Sequence, residues 1–176
     1  MPTEYINEIE NHRKEKDMFF KNHNQSPLPT KERRRFNGLL YFPVDQNLRF
    51  IIPLKEHEQK TTVQVEDSNG SIQIFLRWGE FAFPTNNSTF TLQAYKNHPS
   101  DTNIWVPFRD KTNNIETYGA GRYIDLAKET DTIDHEWILD FNLAYNPFCA
   151  YNENYVCPFI PPENWLNVPI RAGEKT

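Results

Sequence analysis

Residues 61–78, TTVQVEDSNGSIQIFLRW, limit what this chain can fold into more than any other stretch. Residues 61–66 alternate, with Val63 and Val65 on one face. Residues 71–78 alternate too, with Ile72, Ile74, Leu76 and Trp78 on one face. Side chains on a strand point to opposite faces in turn, so a period of two marks strands. Ser68-Asn69-Gly70 joins them, and Asn-Gly readily takes the positive φ angles of a tight hairpin. Further strands are expected at 49–54, 89–95, 104–108, 116–118, 122–126 and 137–141. No long helical pattern separates them, so parallel strand–helix–strand units are not expected.

The helices belong at the start. Residues 3–21 read as a helix capped by Thr3, with Glu4 at the positive end of the dipole. A second is expected at 30–37, with Thr30 as cap and Gly38 as stop. The fold class is therefore mainly β (α+β): a curled antiparallel sheet, as a barrel or roll, with N-terminal helices packed on it. Residues 1–38 form the helical segment and 39–176 the β-rich domain, in one structural unit. With 13 Phe, 8 Tyr and 4 Trp, the chain has enough ring surface for a core.

The net charge of -5 gives a nucleic-acid partner no global electrostatic support. Arg33-Arg34-Arg35 is read as a solvated helix face. No apolar run reaches the roughly 18 residues that span a bilayer, so membrane insertion is not expected. The first residues are charged and lack a signal-peptide core, which reads as cytoplasmic. The five His, at 12, 23, 57, 98 and 135, are scattered, so neither a metal centre nor a cofactor is expected.

Residues 143–166, LAYNPFCAYNENYVCPFIPPENWL, have no regular period and carry four Pro. Proline removes backbone donors, so this stretch cannot pair as a continuous ladder. It is expected to wrap irregularly across the sheet. Asn side chains would satisfy its backbone groups, and rings would bury against the strands.

The polar groups cluster in two places. FRDKTNNIETYGAGRYIDL (108–126) carries Arg109, Glu116, Tyr118 and Arg122 around a bend at 119–121. Two guanidiniums there would grip an anionic or hydroxylated group, unless each is paired internally. LDFNLAYNP (139–147) places Asp140 and Asn142 on one strand face, followed by Tyr145 and Asn146. Tyr151 would add a wall. Asp140 and Glu163 are the candidate acid and base if there is turnover. Cys149 and Cys157 have no base placed near them by sequence and are read as inert, buried thiols.

These stretches, with SPL (26–28) and FNGLLYFPVD (36–45), resemble the domain of unknown function 1684 family, over about residues 5–175. The resemblance implies one small, mostly β domain, bacterial or archaeal, and supplies no activity. Related chains that look like secreted lipoproteins imply an alternative location, periplasmic or lipid-anchored after removal of a leader. Only then is a Cys149–Cys157 disulfide expected. Two readings stay open: a small-molecule or glycan-type binding pocket, with hydrolysis as its catalytic version, and a non-catalytic interaction domain whose polar motifs lock the wrap. Oligomeric state is not legible.

Overall fold

The computed structural model describes residues 2–176. A long helix, α1 (Pro2–Asn22), leads into one turn of helix, α2 (Thr30–Arg33). Ten strands follow: β1 (Leu40–Tyr41), β2 (Arg49–Ile52), β3 (Lys55–Glu66), β4 (Ile72–Thr85), β5 (Ser88–Lys96), β6 (Asn103–Phe108), β7 (Arg122–Ala127), β8 (Thr132–Ile133), β9 (Glu136–Asp140) and β10 (Glu174–Lys175). Strands β3 to β7 form an antiparallel meander. A second sheet has the order β2-β9-β8, and β1 pairs with β10. The curled antiparallel architecture is as expected, but the sheets do not close into a barrel.

The main core lies between the five-stranded and three-stranded sheets. Phe81, Phe83, Leu92, Ala94, Ile104, Val106, Phe108, Ile124 and Leu126 meet Leu139, Phe141 and the C-terminal Leu166, Val168, Ile170 and Ala172. A smaller cluster, Val65, Phe75 and Tyr95 with Val63 and Trp105, sits on the meander's other face. A bulge makes this possible. Arg77 pairs with Tyr95, but Gly79 pairs with Ala94, so Trp78 is an extra residue and the face exchanges there. Strand β4 thus buries Phe75 on one side and Phe81 and Phe83 on the other. The expected apolar face of residues 72–78 does alternate, but its first part lies beyond the core. Ile72 and Ile74 are 56% and 60% exposed.

Three other expectations are corrected. Residues 116–118 form no strand; 109–121 is an irregular loop held by its own side chains, with Thr112 bonded to Asp110 and Thr117. The second helix stops at Arg33 instead of reaching 37, and Thr30 is its first residue with Pro29 as the cap. Asp140 ends its strand, and Asn142 lies in a 3-10 turn (Phe141–Leu143) instead of sharing a strand face with Asp140. Asp140 caps that turn by accepting from the Asn142 amide at 2.9 Å.

The bend at 119–121 needs glycine. Gly121 has φ +103°, and a Cβ there would lie 2.2 Å from Ile160 Cδ1 and 2.6 Å from the Phe108 carbonyl.

Residues 143–166 wrap the meander as expected. Tyr145 exchanges both backbone bonds with Tyr123, and the Phe159 amide donates to the Glu66 carbonyl at 2.9 Å. Asn164 does the most. Strands β5 and β6 diverge after a single pair, Tyr95 with Trp105. The buried Asn164 side chain fills the gap. Its Oδ1 accepts from the Gln93 amide at 2.8 Å, and its Nδ2 donates to the carbonyls of Gln93 at 2.9 Å and Pro107 at 2.7 Å. An amide side chain presents the same donor and acceptor as a peptide, so it serves as a missing rung. Amides of Tyr145, Phe159 and Leu166 should therefore exchange slowly in a hydrogen-exchange experiment. Uniformly fast exchange across 143–166 would contradict an ordered wrap.

Candidate functional site

The two arginines expected to work together are apart in role. Arg122 is completely buried. Its guanidinium donates to the carbonyls of Ile170 at 2.8 Å, Glu174 at 3.1 Å and Ala172, and meets Asp110 at 3.5 Å. The charge lies 5.1 Å from the Phe108 ring. Of the two expectations for Arg122, a ligand grip or an internal pair, the internal pair holds, and its carboxylate is Asp110. Arg122 is a clasp that ties the C-terminal segment to β7, with its side chain fully buried. Arg109 instead stacks over Trp165 at 4.7 Å.

The other polar motif residues also serve the fold. Asp140 accepts from the Tyr5 hydroxyl at 2.7 Å, fixing α1 to the end of β9. Burial, then Asp140, raises the Tyr5 pKa far above its ordinary value. Asn142 donates to the Tyr5 hydroxyl and the Asp45 carbonyl, and accepts from the Asp45 amide. Glu163 accepts from Tyr95 and is gripped by Arg77 at 2.5 Å. Asp140 and Glu163 thus lie in separate, occupied networks and do not make an acid–base couple. Glu116 is paired with Arg171 at 3.0 Å. Asn146 and Tyr151 converge on buried Glu174: the Asn146 amide donates to it at 2.8 Å and the Tyr151 hydroxyl at 2.7 Å, with Lys16 of α1 as counter-ion.

Tyr145 is the exception. Its ring packs under the Lys16 ammonium at 4.7 Å, and its hydroxyl donates to Asp125. It lines a cleft of about 680 Å³ with His12, Lys16, Phe19, Asp125 and Phe148. On the other side of Asp125 lies a second cavity of about 590 Å³, whose walls include Phe75, Asn97, Ser100, Asn103 and Trp105. A row of rings runs behind both. Phe75 stacks on Trp105 at 4.7 Å, Trp105 meets Tyr123 edge-on at 5.1 Å, and Tyr123 meets Tyr145 edge-on at 5.9 Å. Asp125 is exposed and opens to both cavities.

The alternation of β6 and β7 creates this arrangement. Ile104, Val106, Ile124 and Leu126 point into the main core, so Trp105, Tyr123 and Asp125 must point the other way. The lysines at the walls are already engaged: Lys16 with Glu174, and Lys96 over the Trp78 ring at 4.0 Å. No group of three His, Cys, Asp or Glu side chains is placed to hold a metal among the described residues. Nor is any helix among them long and apolar enough to cross a membrane.

The family model described as Protein of unknown function (DUF1684) matches residues 34–175. The chain belongs to that family. A solved structure bears on the fold as well: the solution NMR structure of an uncharacterized protein from Haloarcula marismortui is 37% identical, with a TM-score of 0.75. The match covers 99% of this chain and 96% of that one. No curated protein matches. The DUF1684 segment includes Trp105, Asp125, Tyr145 and Phe148, while the helical wall (His12, Lys16, Phe19) precedes it and lies within the span shared with the NMR structure.

Sequence reasoning did not single out Lys16, Trp105, Asp125 or Glu174. One signal was available for β7. Arg122-Tyr123-Ile124-Asp125-Leu126 alternates, and with Ile124 and Leu126 inward, Tyr123 and Asp125 must share the outer face.

Proposed function

We propose that this DUF1684 protein is a binding module for a small, neutral, polyhydroxylated molecule of glycan type, held along the Asp125 trench without covalent chemistry. The observation that carries this reading is the single exposed carboxylate shared by two cavities backed by a row of aromatic rings. Pockets of roughly 300–1,000 Å³ with aromatic walls and a few polar groups are typical of small-molecule sites. Ring faces suit the C–H faces of a polyol, while Asp125, Asn97, Ser100 and Asn103 offer acceptors and donors for its hydroxyls. With Lys16 and Lys96 engaged elsewhere, the carboxylates of Glu15, Asp101, Asp125 and Asp131 disfavour an anion. Hydrolysis is not part of the proposal, because Asp140 and Glu163 are each consumed in a structural network.

Thermal shift against neutral oligosaccharides, sugar phosphates and organic amines tests it. A binder stabilises the folded state by mass action, by about 2.7 kcal/mol at a hundred times its Kd. A neutral oligosaccharide should raise Tm, and Asp125→Asn should abolish the rise while leaving the unliganded Tm within a few degrees; Trp105→Ala, which loses the Phe75 and Tyr123 contacts and so lowers the unliganded Tm by on the order of 10 °C, should abolish the rise as well. A response confined to phosphates or amines, or an oligosaccharide response that survives both substitutions, would reject the proposal.

The non-catalytic interaction domain remains the second reading. The observation in its favour is the exposed apolar stripe of Ile72 and Ile74 on β4. Loss of a protein contact on Ile74→Lys, with no ligand response in the screen, would favour it.

A further inference from the structure

The two cysteines are neighbours in the fold, although seven residues separate them in the chain. The Cys149 amide points at Cys157 Sγ, 3.4 Å away. Cys149 is half-buried and Cys157 is buried. Both are free thiols. The Tyr118 hydroxyl lies 3.9 Å from Cys149 Sγ. The Cys157 amide is held by Ser68 Oγ at 3.1 Å, and the Ser68 amide by the Cys157 carbonyl at 3.0 Å, so the inner cysteine is fixed to the β3–β4 hairpin. The outer cysteine sits in a short 3-10 turn (Phe148–Ala150) at the surface of the wrap.

We infer that Cys149 and Cys157 form a peroxide-responsive thiol pair, in which Cys149 is oxidised first and Cys157 resolves it to an intramolecular disulfide.

The chemistry balances with a hydroperoxide as the oxidant. The Cys149 thiolate attacks the outer peroxide oxygen. The O–O bond breaks, the leaving alkoxide or hydroxide takes up a proton, and Cys149 becomes a sulfenic acid. Cys157 sulfur then attacks Cys149 sulfur and displaces hydroxide, which leaves as water with the Cys157 proton. The two thiols lose two electrons and the peroxide gains them. Division of labour follows from the environment. A hydrogen bond from Cys157, and a weaker one from Tyr118, lowers the Cys149 thiol to about 7 against the opposing effect of burial. The same contact with Cys149, then burial, raises Cys157 against the lowering effect of the Cys149 and Phe148 amides, and the greater exposure of Cys149 puts it first in the path of the peroxide. A thiol near the ambient pH is both ionised and nucleophilic, as a peroxide-reactive cysteine requires.

Oxidation closes a short ring within the wrap next to Phe148, a wall of the larger cleft. On the chain-entropy view, such a ring raises Tm by on the order of 5 °C.

The test uses the full chain treated with hydrogen peroxide, followed by intact mass and thiol counting. The expected result is a monomer that has lost two hydrogens and both free thiols, restored by dithiothreitol. Cys157→Ser should stop at a sulfenic acid on Cys149, trapped by dimedone. Cys149→Ser should leave Cys157 unmodified over the same time. Alkylation of Cys149 by iodoacetamide in the parent should rise through a midpoint near pH 7, and Tyr118→Phe should shift that midpoint upward. Retention of both thiols in folded protein, cross-linked dimers in place of an internal disulfide, or dimedone trapping on Cys157 instead of Cys149 would overturn the inference.

Discussion

Arg122→Met is expected to destabilise the protein by about 4 kcal/mol, because breaking a buried ion pair leaves its partner charge uncompensated. For a chain of this size, that corresponds to a fall in Tm of about 12 °C. Methionine fills much of the aliphatic space beside Phe108, so the loss is polar in origin. It strips the carbonyls of Ile170, Ala172 and Glu174 of their shared donor and leaves Asp110 with Thr112 and the Ile170 amide. Arg122→Lys should recover only part of the loss, because an ammonium cannot spread its donors over three carbonyls and a carboxylate. Thermal unfolding of the three proteins measures this. A Met variant melting within about a degree of the parent would show that the clasp is dispensable.

Asn164→Ala should cost about 3 kcal/mol, near 9 °C in Tm, through a different route. No charge is removed. The Gln93 amide and the carbonyls of Gln93 and Pro107 lose their partner where strands β5 and β6 have already separated. Pro107 cannot offer an amide to close the gap. Hydrogen exchange should accelerate at Gln93 and Leu166 before it does at β3 and β4. A uniform change across the meander would mean that the side chain is not a local rung.

How much of this was readable from the residues depends on the range of the interaction. The 61–78 hairpin was legible because Asn69-Gly70 and the alternation are local signals. Its exposed end was not, because the bulge at Trp78 and the reach of the second sheet come from tertiary packing. The wrap was legible because its prolines forbid a ladder. Asn164's role was not, because nothing near it in sequence announces that β5 and β6 diverge 57 to 71 residues earlier. Residues 116–118 read as a strand in sequence, yet side-chain bonds among Asp110, Thr112, Asn113 and Thr117 outcompete a ladder.

The candidate site was misplaced for a related reason. Polar and charged residues in dense motifs were read as ligand groups, and most prove to be mutual partners: Arg122 with Asp110, Glu163 with Arg77 and Tyr95, and Asn146 and Tyr151 with Glu174. Buried polar groups must find partners, so a polar motif in a small domain more readily marks a clasp than a cleft. The trench is instead built from residues on alternate positions of β6 and β7, with one wall contributed by α1. Only Tyr145 belongs to both sets.

Backbone chemical-shift mapping on the isotope-labelled chain tests the trench most directly, with the neutral oligosaccharide that gives the largest thermal shift as the probe. Saturable shifts should cluster on Asn103, Trp105, Asp125, Tyr145 and Phe148, and should vanish in Asp125→Asn. Shifts centred instead on Arg109 and Trp165, or no saturable shifts from any oligosaccharide in the panel, would contradict a binding site at Asp125.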